Sequence, residues 1–200
     1  MKILPQSFYN RPTLKVAQDL LGCFLVRKAP PFKRGAGGLK NLTKYKIVET
    51  EAYNGPKDLA SHASIGKTER NKIMFDGPGT IYIYFTYGMH YMLNIVTEEK
   101  DYPAAVLIRA VEPMNGRDAP RRVSTNGPAR LTKALKIDKS FNGLPIYKTR
   151  PAGLWIESRS AELKPNQIVR ATRIGIDYAK GYKDKKWRFY IKGNKFVSKK

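Results

Sequence analysis

The stretch GTIYIYFTYGMHYMLNIV, residues 79–96, constrains the fold more than any other part of the chain. Ile81, Ile83 and Phe85 alternate with Tyr82, Tyr84 and Thr86. A period of two gives an extended strand two chemically distinct faces, here one aliphatic and one aromatic and hydroxylated. Gly88 falls where the chain should turn, residues 91–97 read as a second strand, and AAVLIRAVEP supplies a third. The three together predict an antiparallel meander with a row of phenols on one side. Tyr87 and Met89 flank Gly88 at the hairpin tip, where large side chains would be exposed and able to wedge into a duplex. The other reading of the tip folds it back onto the core.

A strand lined with tyrosines sits in a very basic chain. The 200 residues hold 38 Lys and Arg against 16 Asp and Glu, a net charge of +22. Such a balance predicts attraction to polyanions, nucleic acid first, over the plainer reading of charge kept for solubility. The charge is also uneven. Residues 1–44 carry nine basic and one acidic residue, residues 45–112 seven and nine, and residues 113–200 twenty-two and six. A slightly acidic, aromatic-rich centre between basic flanks suits a reactive pocket framed by phosphate-binding surface. At this length, with 42% apolar residues, one domain over residues 1–200 is expected. Cys23 is alone, in the apolar run LLGCFLV, so it is expected as a buried thiol. One cysteine and two histidines offer no zinc-like spacing, and no metal is expected. No segment approaches eighteen apolar residues and no secretion signal is legible, so a soluble chain off the membrane is expected.

Along the rest of the chain, Leu14, Ala17, Leu20 and Leu21 follow helical spacing, with Pro12 near the start and Gly22 past the end. CFLVRK reads as a short strand, and residues 29–44 as a mobile, basic, Gly- and Pro-containing loop. YKIVETEAY is a strand ending in an acidic, aromatic turn, followed by a polar stretch without clear periodicity. GPARLTKALKI predicts a helix with Pro128 in its first turn, Leu131, Ala134 and Leu135 on one face, and Arg130 and Lys133 outward, where they could meet DNA backbone. The tail reads as strand, basic loop, strand.

Two features could do chemistry. Glu51 follows an apolar strand and precedes an aromatic loop, which predicts a partly desolvated carboxylate beside a cleft, suited to act as a base; the alternative is a solvated strand-end glutamate. Tyr53, His62 and Tyr84 converge on a flat slot if the loop after Glu51 folds against the tyrosine face, and a flat aromatic slot suits a nucleobase. Each of the three, taken separately, is more often core packing or a hydrogen-bonded surface residue, and it is their concentration near one carboxylate that points to a site.

VETEAYNGPKDLASHA, RNKIMF, PGTIYIYFTYGMHYMLNIV and VLIRAVEP, continuing through NGPARLTKALKIDKSFNG and RIGIDYAKGYKDKKWRFYIKG, resemble in order the motifs of the alkyladenine (methylpurine) DNA glycosylase family. The resemblance covers nearly the whole chain. It implies an α+β fold, a single compact domain with a curved antiparallel β-sheet flanked by helices, bearing a β-hairpin that inserts into DNA. It also implies hydrolysis of the N-glycosidic bond of damaged purines, alkylated or deaminated, in base excision repair. On it, Glu51 matches the water-activating base, Arg109 a residue near base and water, and Tyr53, His62 and Tyr84 the side chains that sandwich the extruded base. Asn94 matches an amide that screens purines at the pocket floor, and Tyr87, beside Met89, the residue inserted into the minor groove. The implied partner is double-stranded DNA containing damaged purine bases, met by a monomer without cofactors, cytoplasmic in a bacterium or nuclear in a eukaryote. An enzyme that acts on a base inside a duplex must unstack it and replace the lost stacking, which is work for aromatic side chains.

Two features depart from the family pattern: the long basic stretch 29–44, and His90 after Met89 where an aromatic ring is usual. Two rival readings compete with the glycosylase. One is a non-catalytic nucleic-acid binder whose tyrosines form an open stacking platform. The other is a helix-hairpin-helix glycosylase, for which no Gly-rich hairpin followed by an aspartate is present.

Overall fold

A computed structural model describes residues 1–28, 42–86, 88–114 and 125–199. Through them runs one curved antiparallel sheet of eight strands, β1 (Phe24–Lys28), β2 (Leu42–Tyr53), β3 (Ile81–Thr86), β4 (His90–Thr97), β5 (Ala104–Pro113), β6 (Leu154–Glu157), β7 (Ile168–Ala171) and β8 (Arg188–Ile191). The order β3-β4-β5-β2-β1-β6 contains the expected meander as its first three strands. β2 is the spine. β5 pairs along one edge of it, while β1 takes residues 42–46 and β8 residues 49–51 of the other.

The β2–β5 register shifts on both sides of Glu49, and this irregularity decides which side chains reach the site. In a regular strand every odd residue shares one face. Tyr45 and Ile47 do lie in the main apolar core, but so does Ala52, and Thr50 Oγ1 donates to the Ala17 carbonyl on the same side. The shift therefore swaps the faces, as bulges next to functional sites do. Glu49, Glu51 and Tyr53 are turned away from that core; without the shift two carboxylates would point into it.

Three helices complete the described elements of that kind: α1 (Gln6–Tyr9), α2 (Thr13–Asp19) and α3 (Pro128–Leu135). α2 is shorter than the spacing predicts; of the expected stripe Ala17, Leu20 and Leu21 are buried and Leu14 is half-buried against the core, with Val16 buried beside them. α3 packs on β4, burying Leu131 and Leu135, and Thr132 Oγ1 donates to the Tyr91 carbonyl across that contact. Cys23 is buried, its thiol donating to the Asp19 carbonyl.

Two expectations are corrected. Residues 42–44 belong to β2, since they pair with β1, so the basic stretch 29–44 is loop at most over 29–41, which lie outside the described residues. Phe85 does not join Ile81 and Ile83 in the core: near the hairpin tip the strand has run past it, leaving Phe85 46% exposed against Tyr91. Tyr82, on the opposite face, is buried in a second apolar cluster with Met74, Val96 and Ala105. The tail forms the expected strand, loop and strand as β7 and β8, and β6, which the sequence did not mark, extends the sheet on β1.

Candidate active site

Glu51 is fully buried, not partly desolvated as the sequence suggests, because β2 is flanked on both edges at this point, by Leu107 of β5 and Arg188 of β8. Its Oε1 accepts from the Ile174 backbone N–H at 2.9 Å and lies 3.3 Å from Arg109 Nη1. Its Oε2 accepts from the Tyr53 hydroxyl at 3.2 Å. Burial raises the Glu51 carboxyl above its ordinary value, against the opposing pull of Arg109, Ile174 N–H and Tyr53. The result is a more basic carboxylate than one in water, held in a single orientation.

Glu51 itself does not line the adjoining cavity of about 240 Å³, but three of its contacts, Tyr53, Arg109 and Ile174, do, together with His62, Tyr84 and Asn94. The structure thus brings together every pocket residue expected from the sequence. His62 and Tyr84 meet edge to face, with ring centroids 4.5 Å apart and planes at 85°. Two rings in edge contact leave no gap between them for a flat ligand. Burial, reinforced by Arg70, lowers the His62 pKa, so the ring is neutral at pH 7. His62 Nδ1 lies 3.1 Å from the Tyr82 hydroxyl. When Tyr82 donates to Nδ1, the ring proton sits on Nε2 as a donor for a ligand. Burial, with Glu51 nearby, pushes the Tyr84 phenol up to about 12, so it too is neutral. Asn94 Nδ2 donates to the Tyr82 and Met92 carbonyls, both at 3.2 Å, which fixes the amide plane and leaves the Oδ1 acceptor for a ligand.

Pro128, the first residue of α3, reaches the cavity lining, so this helix starts at the mouth of the site. Arg130 and Lys133 are exposed on it as expected, Arg130 resting on Asn126 Oδ1 at 2.9 Å. Opposite β3, the segment Ile174–Ile176 and Tyr178 also line the cavity, and the same loop exposes Lys180, Lys183, Lys185 and Lys186. At the β3–β4 tip Met89 is 69% exposed and Gly88 adopts the left-handed φ of +62° that the turn needs. Tyr87 lies outside the described residues. Among the described residues, no group of three His, Cys, Asp or Glu side chains is placed to hold a metal ion.

A family model described as methylpurine-DNA glycosylase matches residues 7–195. The chain belongs to that family. Its relatives match end to end. A protein of Clostridium perfringens (strain 13 / Type A) named "Putative 3-methyladenine DNA glycosylase" is 43% identical, over 98% of this chain and 99% of its own. Proteins of the same name from Methanocella arvoryzae and Carboxydothermus hydrogenoformans are 44% and 45% identical, covering 100% and 99% of this chain and 97% and 100% of theirs. The chain is accordingly an enzyme of the DNA glycosylase class.

Several residues that shape this glycosylase's site escaped the sequence reading. Asp58 and Arg173, both fully buried, form a two-pronged ion pair, with Arg173 Nη2 2.8 Å from Asp58 Oδ1. The guanidinium lies between the rings of Tyr53 and Trp187, 5.1 and 5.0 Å from their centroids. The pair ties the loop after Tyr53 to the segment that offers Ile174 N–H to Glu51. Asn71 Nδ2 donates to the His62 and Gly66 carbonyls at 2.8 Å each, fixing the His62 turn. Glu49, two residues before Glu51, is equally buried. All of these lie inside the motif-bearing segments, but only their charge and polarity were visible there, and a pairing partner over a hundred residues away is not a local signal.

Proposed function

We propose that this glycosylase removes damaged purines from double-stranded DNA by taking the nucleotide out of the duplex into the Tyr53–His62–Tyr84 cavity and hydrolysing its glycosidic bond with a water activated by Glu51. The observation that carries this reading is a buried, basic carboxylate directly behind the wall of an aromatic cavity, in contact with the lining residues Tyr53, Arg109 and Ile174. At about 240 Å³ the cavity is smaller than the roughly 300–1,000 Å³ of drug-sized pockets, a scale suited to one base. Neutral, electron-rich rings on its walls favour a base made cationic by alkylation.

In the step itself the bond from C1′ to the base nitrogen breaks and its electron pair leaves with the base. The water oxygen bonds to C1′, and its proton passes to Glu51. The sugar becomes oxocarbenium-like on the way, and the Glu51 anion stabilises that charge. Arg109 holds the carboxylate without protonating it. Met89, exposed at the hairpin tip, fills the space left in the stack, a role shared with Tyr87, which lies outside the described residues. Walls on several sides and a carboxylate just behind one of them suit this reading better than an open stacking platform.

The test is release of free base from duplexes that each carry one defined lesion, under single-turnover conditions. Release from an alkylated adenine duplex, with none from undamaged duplex, is expected; hypoxanthine in a parallel duplex probes deaminated purines. Since Glu51 must be ionised, the acid limb of the rate profile should lie above pH 4.5, its ordinary value. No release from any lesion would end the reading.

Charge supplies a separate prediction. Exposed Arg130, Lys133, Lys180, Lys183, Lys185 and Lys186 surround the site in a chain of net +22, so several phosphates are neutralised on binding. Affinity for duplex should fall with salt at a log–log slope of about −0.9 per phosphate contacted. A binding constant unchanged between low and physiological salt would rule out this use of the charge.

A further inference from the structure

Glu49 sits in the middle of a chain of ionic contacts that ends at Glu51. Its Oε2 accepts from the Ser198 N–H at 2.7 Å. Its Oε1 accepts from Arg188 Nη1 at 2.9 Å and from the Ser198 hydroxyl at 3.0 Å. Arg109 Nε lies 3.3 Å from that same Oε1, at ion-pair distance but without hydrogen-bond alignment. One oxygen thus serves three donors and Arg109 holds the weakest place. The other end of the guanidinium is also at 3.3 Å, from Glu51 Oε1. Arg109 is suspended between two carboxylates two residues apart on β2, fully committed to neither.

We propose that Glu49 is a positioning residue for the reaction: anchored by Arg188 and the Ser198 backbone N–H, it draws Arg109 back from Glu51 and so keeps Glu51 a working base. The proposal rests on the reading of Glu51 as that base. A guanidinium free to form a two-pronged pair with Glu51 would stabilise the anion, lower its proton affinity and weaken it towards water. The segment that supplies the anchor is the far end of the described chain. Val197 is buried, Ser198 meets Glu49, and the Lys199 carbonyl accepts from Arg188 Nη1 at 2.7 Å. The remaining groups around Glu51 do not substitute for Glu49. Tyr53 and Tyr84 are neutral phenols raised by burial, Arg173 is bound to Asp58, and Arg188 to Glu49.

The experiment is the pH dependence of single-turnover base release for Glu49→Gln and Ser198→Ala, with Glu51→Gln alongside and folding checked by thermal melting. Glu49→Gln releases Arg109 to Glu51, so the acid limb should move to lower pH by roughly half a unit or more. The plateau should drop about tenfold as the base weakens. Ser198→Ala keeps every charge but removes one competitor for Glu49 Oε1. Arg109 then aligns better with Glu49, and the limb should move the other way. A folded variant that loses rate with its acid limb at the parental pH would make Glu49 merely structural and overturn the proposal, as would an unchanged rate. If Glu49→Gln does not fold, the direction of the Ser198→Ala shift decides. Retained activity in Glu51→Gln would instead show that the base itself is misassigned.

Discussion

Glu51→Gln is expected to abolish base release, by at least ~10²-fold, while leaving DNA binding intact and the fold no less stable at pH 7. The substitution keeps the shape. The Gln oxygen can still accept from Ile174 N–H beside Arg109, and its amide group can donate to the Tyr53 hydroxyl, which reverses its role. Arg109 retains Glu49 at 3.3 Å. What is lost is the lone pair that takes the proton from water. The stability side follows from the raised carboxyl. Its native pKa lies above the unfolded value near 4.5, so the native state binds the proton more tightly. Stability therefore falls as pH rises from the unfolded value through the native one, and the burial penalty is complete above both. Gln removes that penalty. The variant should melt at or above the parent at pH 7, with the difference shrinking as the pH is lowered below 4.5. Release within tenfold of the parent, about 1.4 kcal/mol in barrier, would remove Glu51 from the chemistry.

Much of this site can be anticipated from the sequence, because its parts are local. The Ile/Tyr alternation of β3, the turn at Gly88 and the apolar stripes of α2 and α3 are each written within a dozen residues, and each element forms where its pattern lies. The candidate residues Glu51, Tyr53, His62, Tyr84, Asn94 and Arg109 are close together for the same reason: they come from four adjacent strands, β3, β4, β5 and β2, and one connecting loop. What was not legible is non-local. The register shift at Glu49 arises where β5 and β8 both pair with β2, and nothing in VETEAY marks it. That shift turns a partly desolvated glutamate into a fully buried one. β6 has four residues between a proline- and glycine-containing approach and a polar exit, and it exists because β1 offers it an edge; Trp155 then packs on Phe24 and Val26. Glu49, Asp58, Arg173 and Arg188 read as ordinary surface charges until their partners are known.

Breaking the Asp58–Arg173 pair from either side should be the most damaging single change to the fold around the site. Asp58 and Arg173 are both inaccessible to solvent. Asp58 also accepts from the Asn54 and Ala60 N–H groups, at 3.1 Å each, and Arg173 donates to the Ala52 and Tyr182 carbonyls. Removing one charge strands the other without water, at about 3–5 kcal/mol. For a domain of this size that corresponds to roughly 6–20 °C in Tm. Arg173→Met leaves the Asp58 carboxylate stranded, and Asp58→Ala leaves the guanidinium so. The double variant buries neither charge, so it should recover a large part of the stability lost by either single one, giving a coupling energy well beyond additivity. Activity should not recover in step. The guanidinium is also the platform for the Tyr53 ring, and it fixes the backbone that presents Ile174 N–H to Glu51; a methionine reproduces neither. A double variant whose melting temperature equals the sum of two small, independent losses would show that the pair contributes little to holding this loop.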